Sequence, residues 1–162
     1  NKLYIIEDLP AWCPSIRSRE LIRASAKRNL ADPWIAVAAL GIGPDFFNTD
    51  FKTLGFLFES LCIRDLKIYS NHLNGEVGYY RDRTGLEADI VLTIDNNNYA
   101  LIECKLGSDG IEEGAKHLLK IETLIKEKKI KVPTFKMILT GGNIAYTRKD
   151  GVHVVPISCL GP

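Results

Sequence analysis

The stretch YALIECKLG, residues 99–107, holds an acid and an amine where apolar residues otherwise dominate. Glu103 and Lys105 are two positions apart, and in a strand positions i and i+2 point to one face. A carboxylate and an ammonium therefore project side by side from a segment whose other members, Tyr99 to Ile102, read as buried. Asp89 poses the same problem one strand earlier, among Ala88, Ile90, Val91 and Leu92. Asp is depleted in strands, and a buried carboxylate needs a partner, a metal or a proton. Two convergent carboxylates can hold a hard cation such as Mg2+ or Mn2+ through oxygen. Such an ion polarises a phosphoryl oxygen and lowers the pKa of a bound water. A lysine beside it can orient that water and stabilise developing negative charge. The expected ligands are Asp89 and Glu103, with the backbone carbonyl of Cys104 as a further oxygen, and the expected chemistry is metal-assisted hydrolysis.

Glu59, in GFLFESLC, is a third acid in an apolar setting. Helical spacing of three and four sets it on the sector of Phe56, Ile63 and Leu66. Packed over the sheet, it would reach the same site, binding metal through water or acting as a general base. Two of these acids also have a plainer reading. Glu103 and Lys105 can be an edge-strand ion pair, and Glu59 can pair with Arg64 or Lys67 at the surface. Tyr79, Arg81 and Arg83 combine an aromatic with basic groups on one strand, a composition suited to stacking on bases and binding phosphates. Arg17 and Arg19, in a basic stretch that runs to Arg28, are further candidates for phosphate contact.

The elements that must position these groups follow from the pattern. Residues 3–6 read as a short strand. DPWIAVAALGIG reads as a helix, with Asp32 as cap, Pro33 in the first turn and Gly41 at the end. Residues 44–50 read as a connection, and 53–69 as a strongly apolar helix broken by SNHLNG. Strands are expected at 76–83, 86–94 and 99–106, with turn chemistry in DNNN between the last two. A second long helix is expected over 109–129, its acids at the start and its lysines at the end, as the helix dipole favours. Two more strands are expected at 135–142 and 152–157. The central hairpin carries a parity condition. Asp89 shares a face with Glu103 only if it lies opposite an odd-numbered residue of the next strand. That demands a loop of odd length, or a bulge.

The chain has 162 residues, 46% hydrophobic and 25% charged, with a formal net charge of +1. These values suit one globular domain with at most an appended piece, and any basic surface must be local. Cys13, Cys62, Cys104 and Cys159 are scattered, with no CxxC, so they read as free thiols of a reducing cytoplasm rather than as a zinc site or disulfide frame. No apolar run reaches the ~20 residues that span a bilayer. The chain opens without Met, directly on an apolar run, which suggests that it was cut from something longer.

Glu59 on the first long helix, Asp89 in EADIV and Glu103-Cys104-Lys105 in IECK together resemble the PD-(D/E)XK nuclease superfamily. The similarity is closer to one prokaryotic family, which joins an AAA-type P-loop ATPase, through a winged-helix segment, to a nuclease-like C-terminal domain of unknown function. AKRNLADPWIAVAAL, GFLFESL, YYRDRTGLEADIV and ALIECKLG carry that similarity. It implies an α/β fold with a restriction-endonuclease-like core of order αβββαβ, a central mixed sheet flanked by helices. It implies that residues 1–50 are the remnant of the winged-helix region and a linker helix, and that 51–162 form the nuclease-like domain. It implies catalytic Glu59, Asp89, Glu103 and Lys105, Mg2+ or Mn2+ as cofactor, and DNA as partner, with RNA as the alternative. The attached ATPase module would be a second partner, and oligomers are compatible with it. No GxxxxGK[ST] occurs here, so ATP would bind only in that other module. The competing expectation, from another class, is a non-catalytic nucleic-acid-binding or protein-interaction module that regulates the ATPase.

Overall fold

The structure, a computed structural model, describes residues 5–13, 25–94 and 98–161. A six-stranded mixed sheet forms its centre, built from β3 (Glu76–Arg81), β4 (Glu87–Ile94), β5 (Asn98–Lys105), β6 (Phe135–Thr140), β7 (Tyr146–Thr147) and β8 (Val152–Pro156), in the order β3-β4-β5-β6-β8-β7. β3, β4 and β5 are antiparallel neighbours, β5, β6 and β8 run parallel, and β7 returns antiparallel to β8. The long helices α3 (Phe51–Ser70) and α4 (Ile111–Glu127) cover opposite faces. The order helix, three strands, helix, strand expected from the sequence is the order observed, in a mixed sheet flanked by helices.

Side-chain alternation divides the core. Ala100 and Ile102 of β5 pack with Phe58, Cys62, Ile63 and Leu66 of α3. Tyr99 and Leu101 pack with Ala115, Leu118, Ile121 and Ile125 of α4. The same period of two carries Glu103 and Lys105 to the α4 face and Cys104 to the α3 face. Local chemistry fixes the helices. The Asp50 carboxylate accepts from the backbone N–H of Thr53 at 3.0 Å and from its hydroxyl at 2.7 Å, starting α3. α4 has Glu112 and Glu113 in its first turn and Lys126 in its last. Helix α1 (Pro33–Leu40) begins where expected, with the Asp32 carboxylate accepting from the Trp34 N–H at 2.9 Å, and ends at Gly41 with φ of 63°.

Three features depart from the sequence expectation. Residues 44–50 are not a plain connection, because Pro44–Phe47 form a short helix, α2, whose proline suits the first position. The N-terminal strand, expected at 3–6, is described from Ile6 to Leu9 as β1 (Ile6–Leu9), and it pairs antiparallel with a strand the sequence did not announce, β2 (Lys27–Leu30). The two-residue β7 was also unannounced. Among the described residues no helix is long and apolar enough to cross a membrane.

After β1 the chain crosses the free edge of β3. The Trp12 N–H donates to the Tyr79 carbonyl at 2.7 Å, and the Tyr79 N–H donates to the Pro10 carbonyl at 3.0 Å. The Trp12 ring lies 4.4 Å from Tyr99 and 6.5 Å from Tyr80. Gly78 makes this crossing possible. A Cβ there would stand 2.8 Å from the Pro10 carbonyl oxygen and 3.3 Å from the Trp12 Cβ, and backbone cannot yield that space cheaply. Gly78→Ala is therefore expected to lift residues 10–12 off the sheet edge. In a Trp34→Phe background, which leaves Trp12 as the one tryptophan, emission should shift to the red. An unchanged spectrum would show that the edge tolerates the methyl group.

Candidate functional site

Asp89 owes its position to two registers that disagree. Against β5, the ladder runs from Ile94 opposite Asn98 to Ile90 opposite Ile102. Three residues, 95–97, separate the paired ends, so the connection has the odd length that the parity condition demands, and the register brings Asp89 level with Glu103. Against β3, Gly78 pairs with Val91 but Tyr80 pairs with Ala88. Asp89 and Ile90 thus both oppose Tyr79, and the extra residue makes a bulge that bends the strand and re-aims side chains. The β4–β5 ladder stops at Ile90, and the Asp89 carboxylate takes up a backbone N–H beyond it, accepting from Cys104 at 2.8 Å. Bulge, carboxylate and amide satisfy one another where the two strands part.

Glu103 is 3% exposed, with the Lys105 ammonium 3.2 Å from its Oε2. Burial, and then the charge of Asp89, push the Glu103 carboxyl up to about 8, against the pull of Lys105. Burial also raises Asp89, opposed by the Cys104 N–H and by Lys105 and Lys27. Glu59 is raised too, by burial and then by Asp89. Asp89 of β4 therefore raises the pKa of an acid on either side of it, Glu59 of α3 and Glu103 of β5. A carboxyl raised from its ordinary 4.5 to about 8 binds a proton in the folded state that the unfolded chain has released. Its stabilisation is full below pH 4.5 and is lost as pH rises toward 8. The expected slope is a fall of up to about 1.4 kcal/mol per pH unit for that one proton, with Asp89 and Glu59 adding in the same direction. Denaturant titrations from pH 5 to pH 8 should show this decline, and Glu103→Gln should flatten it. An unaltered slope in the variant would assign the decline to other groups.

Lys105 lies in a channel cut by glycines. A Cβ on Gly110 would meet the Lys105 Cδ at 2.9 Å, and one on Gly114 would meet its Cε at 3.2 Å. Gly114 is inside α4, where Gly→Ala ordinarily adds about 0.8–1 kcal/mol of stability. Gly114→Ala is expected to return none of that gain, because the added methyl displaces the lysine stem. A denaturation midpoint raised by the full helical increment would show that the channel is not needed. Gly110 and Gly114 are a site signal present in the sequence but distinct from its acids and bases.

Glu59 does not pair with Arg64 or Lys67. Arg64 bonds Asp65 at 2.8 Å and Asp32 at 3.2 Å, and Lys67 bonds Glu7 at 2.8 Å. Its sector is also less apolar than expected, since Phe56 is 60% exposed. The partner of Glu59 is Lys27, at 3.6 Å, whose ammonium also bonds Glu87. Burial pulls the Lys27 pKa down, but Glu87, Glu59 and Asp89 together outweigh it and hold it up. Neither Lys27 nor Glu87 was singled out as a site residue from sequence. Tyr79, expected as a stacking surface, is instead buried. Its hydroxyl donates to the Ser25 carbonyl at 2.6 Å, and the Lys27 ammonium lies 5.1 Å from its ring centre. Arg81 is exposed, 3.7 Å from Glu87, and Arg83, past the end of β3, is exposed as well. Arg17 and Arg19 lie outside the described residues. The Cys104 thiol points to the α3 face and contacts Cys62, and that contact with burial, and then the charges of Asp89 and Glu59, raises its pKa well above the ordinary thiol value.

The donor set fits a hard divalent cation in chemistry. Glu59, Glu87, Asp89 and Glu103 face two ammonium groups, Lys27 and Lys105, which leaves two negative charges when all are ionised. The arrangement is not preformed for one. Among the described residues no three His, Cys, Asp or Glu side chains stand in position to ligate a common ion.

Fold and site together define an α/β domain with a half-buried acid–lysine cluster where two strands of its sheet diverge. The chain belongs to the family described as a domain of unknown function, DUF4143, whose family model matches residues 54–160. Glu59, Asp89, Glu103 and Lys105 fall inside that span, and Lys27 precedes it. No curated protein and no solved structure matches the chain.

Proposed function

We propose that this chain is a metal-dependent phosphodiesterase domain acting on DNA, and that it is the nuclease-like C-terminal part of a prokaryotic AAA-type ATPase. The observation that carries the activity is Asp89 set between two other acids, raising the pKa of both Glu59 of α3 and Glu103 of β5, with Lys105 on Glu103 and more negative charge in the set than Lys27 and Lys105 offset. The element order and the PD-(D/E)XK pattern of those residues support the same assignment. Asp89 and Glu103 would hold the ion directly, with the Cys104 carbonyl as a neutral oxygen and Glu59 through water. A bound Mg2+ supplies Lewis-acid polarisation of a phosphoryl oxygen. Lys105, held by Glu103 and its glycine channel, orients the attacking water and meets the negative charge that develops on the phosphoryl oxygens. Arg81, exposed and 3.7 Å from Glu87, would contact a backbone phosphate.

A second function has its own support. Two lysines already engage the acids and no ligating triad is preformed, as befits a non-catalytic module that binds nucleic acid or protein and regulates the ATPase. Cleavage assays separate the two. Single- and double-stranded DNA and RNA are incubated with Mg2+ or Mn2+ and the longer, ATPase-containing protein, with and without ATP. The phosphodiesterase predicts metal-dependent cleavage lost with Asp89→Asn. Metal-independent binding without cleavage of any of these substrates would establish the second function in its place.

A further inference from the structure

We infer that Lys27 is a built-in cation of the acid cluster, which competes with a divalent ion for Glu59, so that the N-terminal two-stranded sheet controls entry of metal. The inference rests on the metal-binding role proposed for the cluster and adds its regulation. The Lys27 ammonium reaches across from β2 to Glu59 of α3 at 3.6 Å and bonds Glu87 of β4. It is only 28% exposed, and the Tyr79 ring lies 5.1 Å from it. Its placement is not incidental. Tyr79 is held by residues 10 and 12 through its backbone, and its hydroxyl grips the Ser25 carbonyl two residues before Lys27. β2 is paired with β1 through Ile6–Leu30 to Leu9–Lys27. The residue that carries the ammonium is thus the last pair of a small ladder, clamped from both sides.

A lysine so held does for Glu59 and Glu87 what an ion would do. It offsets their repulsion and satisfies their oxygens, and it lacks the charge to organise Asp89 and Glu103 as well. This accounts for acids that converge without forming a ligating triad. For Glu59 to serve an ion, the ammonium must withdraw, and the seating of β2 on Tyr79 and β1 sets how readily it does so. Lys27 lies before the span matched by the family model, so control of the site comes from a segment adjoining the domain rather than from its core.

Mn2+ is titrated into the whole chain and read by the loss of the free-ion electron paramagnetic resonance signal, for the parent, Lys27→Met, Asp89→Asn and the double variant. Lys27→Gln stands in if Lys27→Met does not fold. Competition predicts at least tenfold tighter Mn2+ binding in Lys27→Met, abolished by adding Asp89→Asn. It also predicts a lower melting temperature for the metal-free variant and a larger rise on adding Mn2+. Equal or weaker affinity in Lys27→Met, with Asp89-dependent binding in the parent, overturns the role of Lys27 and leaves the metal site standing. Absence of Asp89-dependent binding from every protein overturns the metal site and the inference together.

Discussion

Asp89→Asn is expected to abolish divalent-cation binding while leaving the domain folded. The asparagine oxygen can still accept from the Cys104 N–H, so the bond that seats the bulge survives. What is removed is a charge that lies among Glu59, Glu87 and Glu103. In the metal-free protein that loss is favourable, because Asp89 raises the pKa of both Glu59 and Glu103 by repulsion. Metal-free stability at pH 8 should therefore hold or rise. Metal-dependent turnover should be lost with the ion, a fall larger than the roughly 10²–10³-fold that follows removal of a single electrostatic contact. Unfolding of the variant would make Asp89 a structural residue. Full activity in a folded variant would remove it from the mechanism. Circular dichroism, denaturation and cleavage assays on one preparation distinguish these outcomes.

Lys105→Met is expected to lower turnover by roughly 10²-fold without weakening the affinity for metal. Methionine keeps an unbranched stem to fill the channel beside Gly110 and Gly114, so the change is chiefly one of charge. The ammonium opposes the rise in the Glu103 pKa. Its removal leaves Glu103 more firmly protonated in the metal-free state, which moves any pH–rate profile to higher pH. A shifted profile with reduced maximal rate is the signature of a group that both meets developing charge and tunes its neighbour. Equal rates in parent and variant would reduce the pair to an ion pair that stabilises the strand end.

Much of the scaffold was legible because its signals are local. Asp32, Pro33 and Gly41 mark one helix, whereas the Asp50 cap of α3 lay in a stretch read as a connection. The alternation in β4 and β5 and the long stripe of α4 identify the central elements. The candidate acids were legible for a different reason: Asp89 and Glu103 are costly where they stand, and cost is visible in sequence. The odd connection could be stated as a condition, but its fulfilment depends on how Ile94 and Asn98 pair. The bulge was hidden because it arises from a mismatch between two ladders, one on each side of β4. Lys27 was hidden because its partners are set by tertiary placement, 32 and 60 residues along the chain at Glu59 and Glu87. Tyr79 misled because an aromatic on an edge strand looks available until another segment covers it, here residues 10–12.

The most direct test of the metal site is calorimetric titration of Mn2+ into the parent chain and into Asp89→Asn, at pH 8, where Glu103 is near its midpoint. A binding isotherm in the parent that is lost in the folded variant is the predicted result. Absence of heat in the parent, or identical affinity in the two proteins, would contradict it.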